Sequence, residues 1–154
     1  MILKRAGLLY LLCIMAASGS AYAEELWRIG ALNNDYGEFA LAGNYEGFLS
    51  SFPQGVQYDV GTSIPDRDWP YVHPGPDDAW AGGKAHIFVI KFDLQAVPVT
   101  ACRLLLAFVS THGGGAPAIS VSVNGHALDA VQLPNGGNDD VLRNPGAGQP
   151  HRQA

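Results

Sequence analysis

AISVSVNGHALDAVQL, residues 118–133, sets two alternating apolar runs on either side of Asn124-Gly125. Alternation with a period of two gives a strand one apolar and one polar face. Asn-Gly supplies the positive φ angles that a two-residue type I′ hairpin turn requires. The stretch is a β-hairpin, and its neighbours read the same way. HIFVIKFDL (86–94) alternates Phe88, Ile90, Phe92 and Leu94 against Ile87, Val89, Lys91 and Asp93. VQYDVG (56–61) places Val56, Tyr58 and Val60 on one face, and LWRIG (26–30) is a short strand ending in Gly30. CRLLLAFVS (102–110) is apolar on both faces, and Pro98 before it and the glycines from 113 after it limit it to strand length. No segment holds a helical period and no internal repeat is present. The expectation is an all-β antiparallel sandwich of the jelly-roll (galactose-binding-like) type. About six strands can be counted where a closed jelly roll has about eight, so the sandwich reads as short of its last strands.

The start of the chain reads as a signal peptide. Lys4 and Arg5 precede an apolar run over 6–15, and small residues lead to Ala21-Tyr22-Ala23, which places cleavage near Ala23. The apolar run is too short for a membrane span. The expected organisation is a signal peptide over 1–23, a β-sandwich module over 24–134 and a Gly/Pro-rich, truncated or disordered tail over 135–154. The expected location is periplasmic or secreted. Removing 1–23 leaves seven Lys+Arg (9 minus 2) against 14 Asp+Glu. That acidic balance is unsuited to nucleic acid, whose phosphates need clustered cations. Cys102 is then the one cysteine, expected as a small buried hydrophobe.

Several motifs in order resemble the carbohydrate-binding-like jelly-roll domain, the C-terminal accessory domain, of rhamnogalacturonan lyases (polysaccharide lyase family 4). They are LWRIGALNNDYGEFAL (26–41), YDVGTSIPDRDWPYVHPGPDDAWAGGKAHIFVIKFDL (58–94) and ISVSVNG (119–125). Within them stand the W-x-I-G opening, VG-x-S before DWPY, F-x-I-x-F-x-L and VNG of that domain. The resemblance implies a non-catalytic, secreted module that holds a plant-type polysaccharide or oligosaccharide. It also implies a catalytic domain as partner; a reading frame for one encoded just downstream would mark this chain as the front end of a split gene. The alternatives are a purely structural module packed against a catalytic domain, and a polysaccharide lyase or glycosidase in its own right.

The candidate site is the run VGTSIPDRDWPYVHPGPDDAW (60–80) with the Gly-Gly-Lys that follows. Aromatic faces stack on the C–H faces of a pyranose while polar side chains hold its hydroxyls. Loops punctuated by proline and glycine are where ligand contacts concentrate. Arg67, Tyr71, His73, Asp77, Trp80 and Lys84 are therefore the expected carbohydrate-binding residues, with Arg67 able to fork onto a uronate carboxylate. Trp27 and Trp69 are expected as structural aromatics, because tryptophan buries large areas in small cores, and Asp68 as a turn cap. Tyr36, Glu38 and Tyr45 sit in a loop-like region placed to line the same end.

Catalytic residues are not expected. Asp66, Asp68, Asp77 and Asp78 are carboxylates such as a glycosidase pairs across a sugar, but in polar loops they read as solvated turn-formers. The histidines are scattered, and no G-x-S-x-G motif occurs. No cofactor is expected. NGGNDD (135–140) offers the oxygen ligands of a structural calcium site, but its spacing fits no EF-hand and it reads as a surface loop.

Overall fold

Gly30 fixes the first corner of the structure, a computed structural model that describes residues 10–16, 23–115, 118–136, 139–145 and 151–153. It ends strand β2 (Ala23–Ile29) with φ at +78°, a conformation only glycine enters freely. The Phe39 ring packs directly over it, so that a Cβ at position 30 would lie 2.2 Å from Phe39 Cζ. The W-x-I-G opening thus has a physical reading. Trp27 and Ile29 enter the core, Arg28 between them faces out, and Gly30 turns the chain beneath Phe39.

β2 lies at one side of a four-stranded sheet with β1 (Tyr10–Ala16), β5 (Cys102–Phe108) and β10 (His151–Gln153), in the order β10-β5-β1-β2. Its three pairings are antiparallel, with Leu11 opposite both Ile29 and Leu106. β5 buries Leu106, Ala107 and Phe108 in succession, as expected of a strand covered on both faces. Its first residues lie outside that cover. Cys102, expected in the core, is exposed, because the strand only begins there as the chain leaves the open loop holding Val97 and Val99.

The other pairings are short. β3 (Val56–Asp59) and β4 (Phe88–Lys91) run parallel, Val56 opposite Phe88. Here the expectation of antiparallel pairing fails for a simple reason. The 28 residues between them (60–87) are long enough for the crossover that parallel strands need. That crossover carries the candidate run read from the sequence, 60–84. The short helix α1 (Phe48–Ser51) buries Phe48 beside it.

The hairpin forms as the sequence predicts. β7 (Ser122–Val123) pairs with β8 (His126–Ala127), while β6 (Ala118–Ile119) pairs with β9 (Val131–Gln132). Asn124 and Gly125 have φ of +49° and +82°, both positive as a type I′ turn demands. The architecture is all-β, with few and short helical turns.

Part of the segment expected as a tail packs on this core. A 3-10 turn, Asp139–Leu142, buries Val141 and lays Leu142 against the aromatic cluster.

Gly30→Ala should cost about 2–4 kcal/mol, combining a strained left-handed residue with overpacking against a ring that cannot move aside. Chemical denaturation of the two proteins measures it, and an unchanged midpoint would contradict the role given to Gly30.

Candidate functional site

The run over 60–80 starts as a helix of one turn, α2 (Pro65–Asp68), with proline at a first-turn position where its missing N–H costs nothing. Asp68 closes that turn by accepting the Ile64 backbone N–H at 2.9 Å. Arg67 forks onto the same carboxylate, Nε to Oδ1 and Nη2 to Oδ2, each at 2.8 Å. These Arg67 hydrogen bonds, with that of Ile64 and the guanidinium charge, hold the Asp68 carboxyl below the usual range. The Arg67 fork is thus already occupied within the turn.

From α2 the chain is zipped to the loop after β2. Ala40 donates its N–H to the Trp69 carbonyl at 3.0 Å, and Tyr71 returns one to the Ala40 carbonyl at 3.1 Å. This ladder turns Trp69 into the core, where it has no exposure. It meets Tyr58 edge-on at 5.9 Å, Phe88 at 5.5 Å and His73 at 5.4 Å. Trp27 is buried as well, against Phe92 at 5.1 Å.

Tyr71 and His73 are placed inward rather than at the surface, with 2% and 0% exposure. His73 packs against Phe88 at 4.4 Å, the rings tilted by 38°. Tyr71 stacks on Tyr36 at 4.5 Å and donates its phenol O–H to the Leu142 carbonyl. Burial pushes the Tyr71 phenol upward, and it pushes Tyr36 up to about 12, with the nearby Asp35 charge adding to it.

The segment bearing Trp80 is held from both sides. The Asp78 carboxylate accepts the Gly75 N–H at 2.7 Å, and the Asp78 carbonyl accepts from Ala81 and Gly83. The His86 ring nitrogen Nε2 bonds to the Ala81 carbonyl at 2.9 Å, and the ring meets Phe48 edge-on at 4.9 Å. The 3-10 turn Ala79–Ala81 is thereby fixed, and Trp80 stands half-buried upon it. Its ring meets Tyr45 edge-on at 5.0 Å and Phe48 at 6.4 Å. Tyr45, also half-buried, comes from the turn Tyr45–Gly47. Arg143 completes the group. Its guanidinium lies 5.5 Å from the Tyr45 ring centroid, and its Nη2 donates to the Tyr45 hydroxyl at 3.2 Å. Three short 3-10 turns, far apart in sequence, thus converge on one patch of two aromatic rings and a guanidinium.

Of the residues expected from sequence, Trp80 lies in this patch, Tyr71 lies beneath it, and Asp77 and Lys84 are exposed on the same loop. Arg143 was not foreseen. Its segment carries no strand or motif, and only the fold brings it to Tyr45.

A family model for the CBM-like domain III of polysaccharide lyase family 4 matches residues 25–150. The chain belongs to that family. The match begins at the first residues of the sheet-forming β2 and runs through the turn that bears Arg143. No curated protein and no solved structure matches the chain. The accessory, carbohydrate-binding-like character that the motif order implied is therefore that of the family.

Among the described residues no group of three or more His, Cys, Asp or Glu side chains is arranged to hold a metal. The calcium-like loop over 135–140 lies partly outside the described residues, which omit Gly137 and Asn138. Asp68, the carboxylate a catalytic reading would use, is engaged by Arg67 and Ile64.

Two predictions follow from the buried phenols. The raised pKa of Tyr36 favours its neutral form in the fold, so its contribution is complete below about pH 10, the ordinary value, and is lost as pH rises toward 12. Thermal midpoints should fall across that window together with tyrosinate absorbance; a late phenol titration with no loss of midpoint would contradict the linkage. Tyr71→Phe leaves the Leu142 carbonyl without its donor and should cost about 1 kcal/mol. The decisive readout is faster amide exchange at 139–144, with β7 and β8 unaffected.

Proposed function

We propose that this chain is an exported, non-catalytic module that holds a plant-type polysaccharide for a polysaccharide-degrading enzyme, at a surface centred on Trp80. The family match over 25–150 carries the assignment to carbohydrate binding. The half-exposed Trp80–Tyr45 pair supports the place. A large flat ring fixed at its backbone and partly open to solvent offers stacking area at little entropic cost. Asp77 and Lys84, exposed on the same loop, would serve the hydroxyls, and rhamnogalacturonan is the polymer the motif order favours.

Export rests on the basic, apolar and small-residue succession over 1–23. Among the described residues no helix is long and apolar enough to cross a membrane. Cleavage after Ala23 would take β1 from between β2 and β5, leaving them facing each other across about two strand spacings, roughly 10 Å.

A second reading has its own support. Phe92, Leu94, Val97 and Val99 are exposed within eight residues, Val97 and Val99 almost wholly. Apolar groups so clustered favour docking against another domain, as a structural module would require.

Titration of residues 24–154 with rhamnogalacturonan oligosaccharides, followed by thermal unfolding and calorimetry, separates the two. The binding reading expects a midpoint that rises with added sugar and affinity that falls about tenfold in Trp80→Ala. A cooperative protein with no response to sugar would leave the docking role.

A further inference from the structure

Arg67 and Arg143 are both exposed, and the structure treats them differently. The Arg67 fork is spent on Asp68 through two hydrogen bonds of 2.8 Å. Arg143 is exposed, makes no ion pair with any described residue, and among them its guanidinium meets Tyr45, over the ring and through one nitrogen to the hydroxyl. Its backbone is held as well. The Asp140 carbonyl accepts the Arg143 N–H at 3.1 Å, Val141 is buried, and Tyr71 bonds to the Leu142 carbonyl. Gly43, with φ at +75°, admits the Arg143 carbonyl to within 3.1 Å of where a Cβ would stand. A guanidinium on a fixed backbone, steadied by one phenol and with donors to spare, is suited to a planar, two-oxygen acceptor.

We propose that Arg143 is the residue that reads a uronate carboxylate at this site, while a neighbouring ring of the same sugar chain lies against Trp80 and Tyr45. This rests on the carbohydrate-binding reading of the same patch. It also resolves a conflict of charge. The chain carries a formal net charge of −5, which repels a polyanion at long range. Physiological salt screens that repulsion beyond roughly 8 Å, whereas a forked contact acts at hydrogen-bond distance. Binding of an acidic chain should therefore depend on Arg143 in particular and not on overall charge.

The test is to titrate the protein with a galacturonate oligosaccharide and with its methyl ester, identical in length and neutral in charge. Wild type should bind the acid form roughly fivefold more tightly than the ester. Arg143→Gln should abolish that difference, and Arg67→Gln should keep it. Arg143→Lys, which retains the charge and loses the fork, should keep only part. A difference that survives in Arg143→Gln, or disappears in Arg67→Gln, overturns the proposal. Equal binding of acid and ester by wild type, lost in Trp80→Ala, overturns it while leaving the carbohydrate-binding reading intact. Wild type that binds neither form overturns the proposal, while the rhamnogalacturonan titration decides the carbohydrate-binding reading by itself. Arg143→Gln should keep the wild-type thermal midpoint, and if it does not, the Arg143→Lys comparison alone decides.

Discussion

Everything between β3 and β4 depends on the burial of Trp69. Its ring lies between Tyr58 on β3 and Phe88 on β4, and so joins two strands that have only four residue pairs between them. A parallel pair this short has little stability of its own. The aromatic contacts on one face supply what the hydrogen bonds do not, since aromatic side chains bury the largest areas in a small core. The cost is visible too. The Trp69 indole N–H finds no hydrogen-bond partner among the described residues, a penalty of about 1–3 kcal/mol that only extensive packing offsets.

From Trp69 the packing runs outward without interruption. His73 and Phe88 lie against it, Phe48 bridges Phe88 to His86 and Trp80, and Trp80 meets Tyr45 beneath Arg143. The surface patch is thus the outer end of the same aromatic chain that forms the core. That connection explains how residues from three distant turns keep a common geometry without regular secondary structure. Two of the turns are pinned by polar contacts, through Asp78 and His86 for Trp80 and through Tyr71 for the segment before Arg143.

Tyr71 illustrates how a buried side chain can shape a surface from below. Sequence placed it in a proline-rich loop, where an aromatic invites a ligand. In the structure its ring is covered by Tyr36 and its hydroxyl ties down Leu142, next to Arg143. Its link to the site runs through the backbone it holds, and burial is what makes that link rigid.

The sequence by itself determined the strands and the hairpin turn, because alternation and Asn124-Gly125 act over a few neighbouring residues. It also carried the family through the order of local motifs, and it marked Trp69 and Trp27 for the interior, since ring size alone favours burial. Tertiary structure decided the rest. The parallel sense of β3 and β4 depends on where a 28-residue crossover returns, which no local pattern encodes. Which loop residues face in, as Tyr71 and His73 do, depends on the ladder that Ala40 forms with Trp69 and Tyr71. Arg143 meets Tyr45 because its segment packs on the core, where Tyr71, 72 positions earlier, bonds to the carbonyl of its neighbour Leu142. Local rules govern dihedral angles and periodicity; meetings between distant segments follow from the shared core they must cover.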